Sequence, residues 1–336
     1  MGETVVSQTD MLDDAQARDA RGPLGGPGEV LPFKPIGKGL PLLVYLERIY
    51  TGKYPKQGPF RGTDVGVMSG VKDYAVLQAT ARALNLMLDD VEPRSHITGS
   101  AFDEGTPVVL YSPAVMADSL ILSIEIAVNR FDRELFDGVA RALKAAGGMP
   151  LMMPYAGALL AAGEVVNIGS KLADALIDGD PVFSITEALN FGLPGRPLAV
   201  ADHWLLTHAD LAGHRYDPAR GLVGPDGKAY AGDEPYVVLT LDGTERPELN
   251  GFAARAASAA QLERFYGSAG KNGGAASVDA LVEGLQLVSD MRLKGEADRL
   301  EAQIAAVPDA ATKQKLEEKR QAIVKNIATE ILRPAS

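Results

Sequence analysis

The sequence predicts an α+β fold: a largely antiparallel, sandwich-like β body with inserted helices, followed by a C-terminal α-helical hairpin. Three observations carry this reading. Runs of strand character succeed one another with helical runs among them, not in the strict βαβα order of a parallel sheet. Leu120, Leu122, Ile124 and Ile126 alternate along one face of a strand. From Val278 onward the apolar residues step by three and four as a heptad seam, and Pro308-Asp309 turns the chain back on itself.

Taken in order, residues 1–37 are polar and acidic, then rich in Gly and Pro, and read as a disordered leader. Leu31, Phe33 and Ile36 would be its anchors if it docked as an arm instead. The α+β body is assigned to 38–246 and a helical region to 247–336. Within the body, strands are expected at 41–51, 64–68, 106–112, 119–128, 181–186, 198–207 and 236–241, each rich in β-branched, aromatic or aliphatic residues. Helices are expected at 74–88, from the spacing of Leu77, Ala81, Leu84 and Leu88, at 132–146, and at 155–177. Pro225-Asp226-Gly227 between short apolar runs marks a hairpin turn over 221–230. The phrase Glu234-Pro-Tyr-Val-Val-Leu-Thr-Leu241 resembles a strand of C2-type sandwiches, which implies a C2-like body. In the last region, 250–266 reads as a helix, 267–274 as a linker, and 277–307 and 310–331 as the two arms of the hairpin.

Composition narrows the function classes. The 336-residue chain carries a formal net charge of −11 and is 46% hydrophobic, which supports a sizeable core. No Lys/Arg cluster offers the basic face that phosphate recognition needs, so nucleic-acid binding is not expected, and adhesion to an anionic membrane is disfavoured. With no cysteine there is no disulfide, thiolate metal site or cysteine nucleophile. The first twenty residues lack a basic, then apolar, signal pattern, and a cytoplasmic location is the expectation.

Several patterns invite chemistry. Ser69-Gly-Val-Lys72 matches Ser-x-x-Lys, a spacing that on a helix sets a lysine one turn from the hydroxyl it deprotonates. Ser268-Ala-Gly-Lys271 matches too, and with Gly267 and Asn272 approximates a phosphate loop, but Phe265 stands where that motif needs its first glycine. Asp202, His203, His208 and His214 are the candidate ligands for zinc or iron, although His203 and His208 are spaced to face opposite sides of a strand. Asp210, Asp217, Asp226, Asp233 and Glu234, with Asp64 or Asp73, are the candidate set for calcium, without the spacing of a calcium loop. Residues 145–163 hold no charge, so 145–177 is the candidate for membrane insertion, against two prolines and several glycines.

No cofactor is predicted. The reading favoured by these residues is a non-enzymatic binding or assembly protein that acts through protein–protein contacts. The alternatives are a metal-dependent or serine hydrolase and a membrane-active effector. The expected contact residues are those of the hairpin seam: Leu285, Leu300, Ile304, Leu316, Ile323 and Ile327. A partner protein or a second copy would cover them, unless the seams close on each other or on the body.

Overall fold

The computed structural model describes residues 4–7, 33–54, 63–73, 81–99, 102, 105–129, 133–146, 148–155, 158–161, 164–167, 181–211, 213–252, 255–256, 259 and 278–334. In chain order the strands are β1 (Thr4–Ser7), β2 (Leu42–Tyr50), β3 (Thr63–Asp73), β4 (Ala81–Val91), β5 (His96–Thr98), β6 (Val108–Ser112), β7 (Ser119–Asn129) and β8 (Leu151–Tyr155). They continue with β9 (Ala158–Ala161), β10 (Glu164–Asn167), β11 (Phe183–Asn190), β12 (His203–Thr207), β13 (Arg215–Asp217), β14 (Gly221–Val223) and β15 (Tyr236–Asp242). The helices are α1 (Arg133–Ala145), α2 (Val278–Ala306) and α3 (Ala310–Lys325).

Two antiparallel sheets face each other. One runs β1-β12-β15-β2-β5, with β6 also paired to β2, and the other runs β10-β9-β8-β4-β3-β7-β11. Alternation along each strand sends one set of side chains between the sheets. Val44 and Leu46 of β2, Val237 and Leu239 of β15, Val65 and Val67 of β3, and Ile124 and Ile126 of β7 share this core. The outer face of the seven-stranded sheet is covered by α1, whose Val139, Ala142 and Leu143 pack on Met68, Leu84, Met87 and Leu151. The outer face of the six-stranded sheet is covered in part by the β13–β14 hairpin, through Tyr216 and Leu222 against Tyr50, Tyr236 and Val238.

The described parts of two expected helices are strands; 74–80 and 168–177 lie outside the described residues. Residues 81–88 belong to β4, and the apolar stretch from 155 contributes to the meander β8-β9-β10 at one edge of the larger sheet. Both segments are covered on two sides. Ala83 and Leu86 enter the inter-sheet core while Leu84 and Met87 meet α1, and Met152 and Leu160 oppose Met153 and Leu159 in the same way. A strand buried on both faces is apolar at nearly every position and loses its period-two signature. Among the described residues, no helix is long and apolar enough to cross a membrane.

The leader also contributes to the body. Thr4–Ser7 pairs with β12, Gly243 donates its N–H to the Lys34 carbonyl (3.0 Å), and Ile36 packs against the core. Residues 8–32 lie outside the described residues, as does the linker at 267–274. Of the helix expected at 250–266, Phe252, Arg255, Ala256 and Ala259 are described and helical.

The C-terminal hairpin forms as expected. Asp309 caps α3 by accepting the Thr312 N–H at 2.8 Å. Leu293, Ala297, Leu300, Ile323 and Ile327 form its buried seam, with Leu316 at the margin. The hairpin is fastened to the body at the loop before β7. Met116 packs on the seam, and Asn326 Nδ2 donates to the Ala114 carbonyl (2.8 Å). The segment after α3 is fastened in turn by Asp290, which accepts from both the N–H (2.8 Å) and the hydroxyl (2.6 Å) of Thr329.

Candidate functional site

Two β-bulges place the polar residues that matter most. In β2, Val238 pairs with Arg48 and Leu239 with Leu46, so Glu47 is an extra residue. Leu46 and Ile49 therefore both reach the core, and Glu47 and Arg48 both turn to the outer face. There Glu47 meets Thr240 of β15, which in turn contacts His203 of β12. The Thr240 hydroxyl donates to Glu47 Oε2 (3.3 Å) and lies 2.7 Å from His203 Nδ1. The Thr240 hydroxyl thus bridges Glu47 and His203, with the direction of the Thr240–His203 bond set by the imidazole tautomer. The imidazole is held edge-on by Phe33 (5.0 Å) and Tyr216 (5.1 Å).

Arg48 supports this cluster from beneath the β13–β14 turn. Its Nη2 donates to the carbonyls of Pro218 (2.8 Å) and Ala219 (3.3 Å). Its guanidinium and the buried Tyr216 hydroxyl lie close enough to interact with each other, outside ideal hydrogen-bond geometry. Burial pushes the Tyr216 phenol far above its ordinary range and Tyr50 up to about 12. Gly221, at φ +83°, passes under Tyr236, where a Cβ would come within 2.5 Å of the phenol oxygen. No other residue fits there.

Burial also raises the Glu47 carboxyl above its ordinary range, against the opposing pull of the Thr240 hydroxyl and the Arg48 guanidinium. A carboxyl whose folded pKa lies above its unfolded one favours the fold when protonated. That stability is present below the unfolded pKa and is lost as pH rises through the folded pKa. Glu47→Gln should therefore flatten the dependence of stability on pH just above the ordinary glutamate range. Urea midpoints from about pH 4 to 7 will show this, and an unchanged slope would remove Glu47 from the cluster's electrostatics.

The other candidate residues separate. Ser69 and Lys72 are three apart on a strand, not a helix, so their side chains leave opposite faces of β3. Ser69 is buried and donates to Asn85 Oδ1 at 2.6 Å. Asp202 is buried and accepts the His203 N–H (2.7 Å). His208 lies beyond β12 and donates to the Ser184 carbonyl (3.0 Å), while His214 sits edge-on to Tyr230. Asp217 closes its own turn through the N–H groups of Ala219 (2.9 Å) and Arg220 (3.0 Å), and Asp226 does the same for Lys228 (3.0 Å). Asp233 pairs with Arg94 and Lys53, which hold its carboxyl below the usual range. Among the described residues, no three His, Asp or Glu side chains gather where a metal ion could sit.

The seam residues divide as well. Leu300, Ile323 and Ile327 are enclosed within the hairpin, and Ile304 stands partly exposed outside that cluster. The side chain of Leu285 lies outside the described residues. A second apolar surface lies on α2, and it includes Val288, which the heptad reading places in the seam. Leu287, Val288 and Met291 are 43%, 61% and 56% exposed, and Ile331 beyond α3 is 88% exposed. Asp290, fastened to Thr329, keeps the short turn Glu330–Leu332 against the same part of α2.

The fold and its sites define a class: an antiparallel two-sheet sandwich of α+β type that carries a fastened helical hairpin. Scans of the chain against protein families and against curated proteins find no match.

Proposed function

We propose that the chain is a non-enzymatic binding or assembly protein whose protein–protein contacts run through the C-terminal hairpin. The observation that carries this reading is the exposed apolar group Leu287, Val288 and Met291, on the side of α2 opposite its buried seam. Isolated exposed hydrophobics are ordinary, but a contiguous group on one helix face marks a contact surface. The hairpin segment 278–336 has ten acidic and nine basic residues, close to neutral in a chain of net charge −11, which favours approach by another protein there. The buried seam residues serve this reading by holding α2 and α3 together. A cytoplasmic setting belongs to the same proposal.

Val288→Glu tests it. Light scattering of the full-length protein should show reduced association, with the thermal unfolding curve unchanged because Val288 is 61% exposed. A wild-type protein that stays monomeric at high concentration, with no copurifying partner, would end the assembly reading. Stoichiometric zinc lost in His203→Ala would replace it with the metal-dependent hydrolase.

A further inference from the structure

We infer that the edge of β12 is an acceptor site for an extended strand of another protein, and that β1 is the chain's own occupant of it. The surface is apart from the hairpin, so the inference goes beyond the proposed docking role. Sheet edges in soluble proteins are blunted by charge, proline, bulges, shortness or a covering element, because an open ladder recruits other strands. β11 carries Glu187, and its Ser184 carbonyl accepts from His208 (3.0 Å). β10 lies against α2, β5 is three residues long, and the Val108 carbonyl of β6 is taken by Asn85 (2.7 Å). β12 has none of the intrinsic devices. His203-Trp-Leu-Leu-Thr207 holds no acidic residue, lysine, arginine or proline, and pairs with β15 without a register shift.

Among the described residues, what covers this edge is β1. It is four residues long, with Thr4 opposite Thr207, Val5 opposite Leu206, Val6 opposite Leu205 and Ser7 opposite Trp204. The next described residue, Phe33, sets its ring 5.0 Å from that of His203. Ser7 and Phe33 therefore both stand at the start of β12, and residues 8–32 tether β1 between two neighbouring points. A pairing of four residues is marginal on its own. A flexible tether holds such a strand at an effective concentration on the order of millimolar. β1 thus closes the edge against weak contacts and yields to a better one.

The neighbours define the partner. Directly opposed residues of an antiparallel pair share a face. Leu206 belongs to the core between the sheets, and Leu205 to the cluster beneath the β13–β14 hairpin. A strand added here meets apolar surface on both faces, at two successive positions, with Thr207 and Trp204 opposite its ends. The matching chemistry is an extended segment with two adjacent β-branched aliphatic residues between small polar ones, as in Thr4-Val-Val-Ser7. Main-chain bonds supply the affinity, and the two aliphatic positions the selectivity.

Val5→Pro with Val6→Pro in the full-length protein removes two N–H groups from β1 and frees the edge. The probe is a fluorescein-labelled peptide of residues 1–10, followed by fluorescence anisotropy. It should bind the proline variant at least about tenfold more tightly than wild type, where β1 competes in cis. The same peptide carrying both prolines should not bind. Equal binding to the two chains, or no binding to the variant at up to about 1 mM peptide, would overturn the inference. A variant that no longer unfolds cooperatively would overturn it too, by making β1 a fixed part of the sandwich. If the variant loses a self-association that wild type shows, the occupant in trans is β1 of a second copy and the separate partner falls. None of these outcomes depends on Val288→Glu, so the edge and the hairpin face stand or fall apart.

Discussion

Asn85→Leu will lower the free energy of unfolding by about 3 kcal/mol, the cost of leaving buried polar groups without partners. Asn85 is the extra residue of the bulge in β4, between Leu84 and Leu86, which pair with consecutive residues of β3. The bulge aims a fully buried amide across the sandwich. Asn85 Oδ1 accepts from Ser69 of β3 (2.6 Å), and Nδ2 donates to the Val108 carbonyl (2.7 Å) at the start of β6 in the other sheet. Its backbone carbonyl accepts the Thr106 N–H (2.8 Å), and the Thr106 hydroxyl donates onward to Gly148 (2.6 Å). Leucine keeps the volume and leaves the Ser69 hydroxyl and the Val108 carbonyl unsatisfied. Ser69→Ala removes one donor and should cost only about 1 kcal/mol. Since both act on one bond, the double variant should fall short of the sum. Urea titration near neutral pH decides it, and a loss below about 1 kcal/mol for Asn85→Leu would mean that the strut does not join the sheets.

Arg48→Met should destabilise by about 2–4 kcal/mol through the loss of charged hydrogen bonds to Pro218 and Ala219. The effect should be local first. The Leu222 N–H, which donates to the Tyr236 phenol at 3.2 Å, should exchange with deuterium faster than amides of β15. It should also depend on pH with a definite sign. Arg48 pulls the buried Glu47 carboxyl down, so its loss raises that carboxyl further. The folded state then holds its proton to higher pH, and the deficit in stability should be larger at about pH 8 than at about pH 4. A deficit that is the same at both ends would separate Arg48 from Glu47.

Much of the fold was legible because one-sided elements announce themselves. β7 is open enough on its outer side to carry Ser123 and Glu125 between the core residues Leu122, Ile124 and Ile126, and its period survives. The helical hairpin is legible for the same reason, with Leu293, Ala297 and Leu300 on one side and charge on much of the rest. β4, β8 and β9 were not, because a core lies on one side of them and α1 on the other. Bulges hid the polar cluster. Ser69-x-x-Lys72 and the histidine group are patterns in sequence, whereas Glu47, Thr240 and His203 converge from three separate strands. One signal did exist: Glu47-Arg48 are adjacent charges inside the apolar run Leu42–Tyr50, a break that a regular half-buried strand does not show.

The two sheets differ in when they can be built. The larger sheet takes its strands from residues 63 to 190, while the smaller one waits for β15, and the bond from the Lys34 N–H to Asp242 closes a separation of 208 residues. At a synthesis rate of roughly 5–20 residues per second, β2 spends roughly 10–40 s without its central neighbour. Throughout that interval its fully buried set, Leu42, Val44, Leu46 and Ile49, has no opposing strand from β15 to cover it. Non-local pairing of this kind is slow and leaves sticky edges in the meantime. Nascent chains stopped before Tyr236 should therefore aggregate or be held by chaperones, whereas chains extended past Asp242 should not.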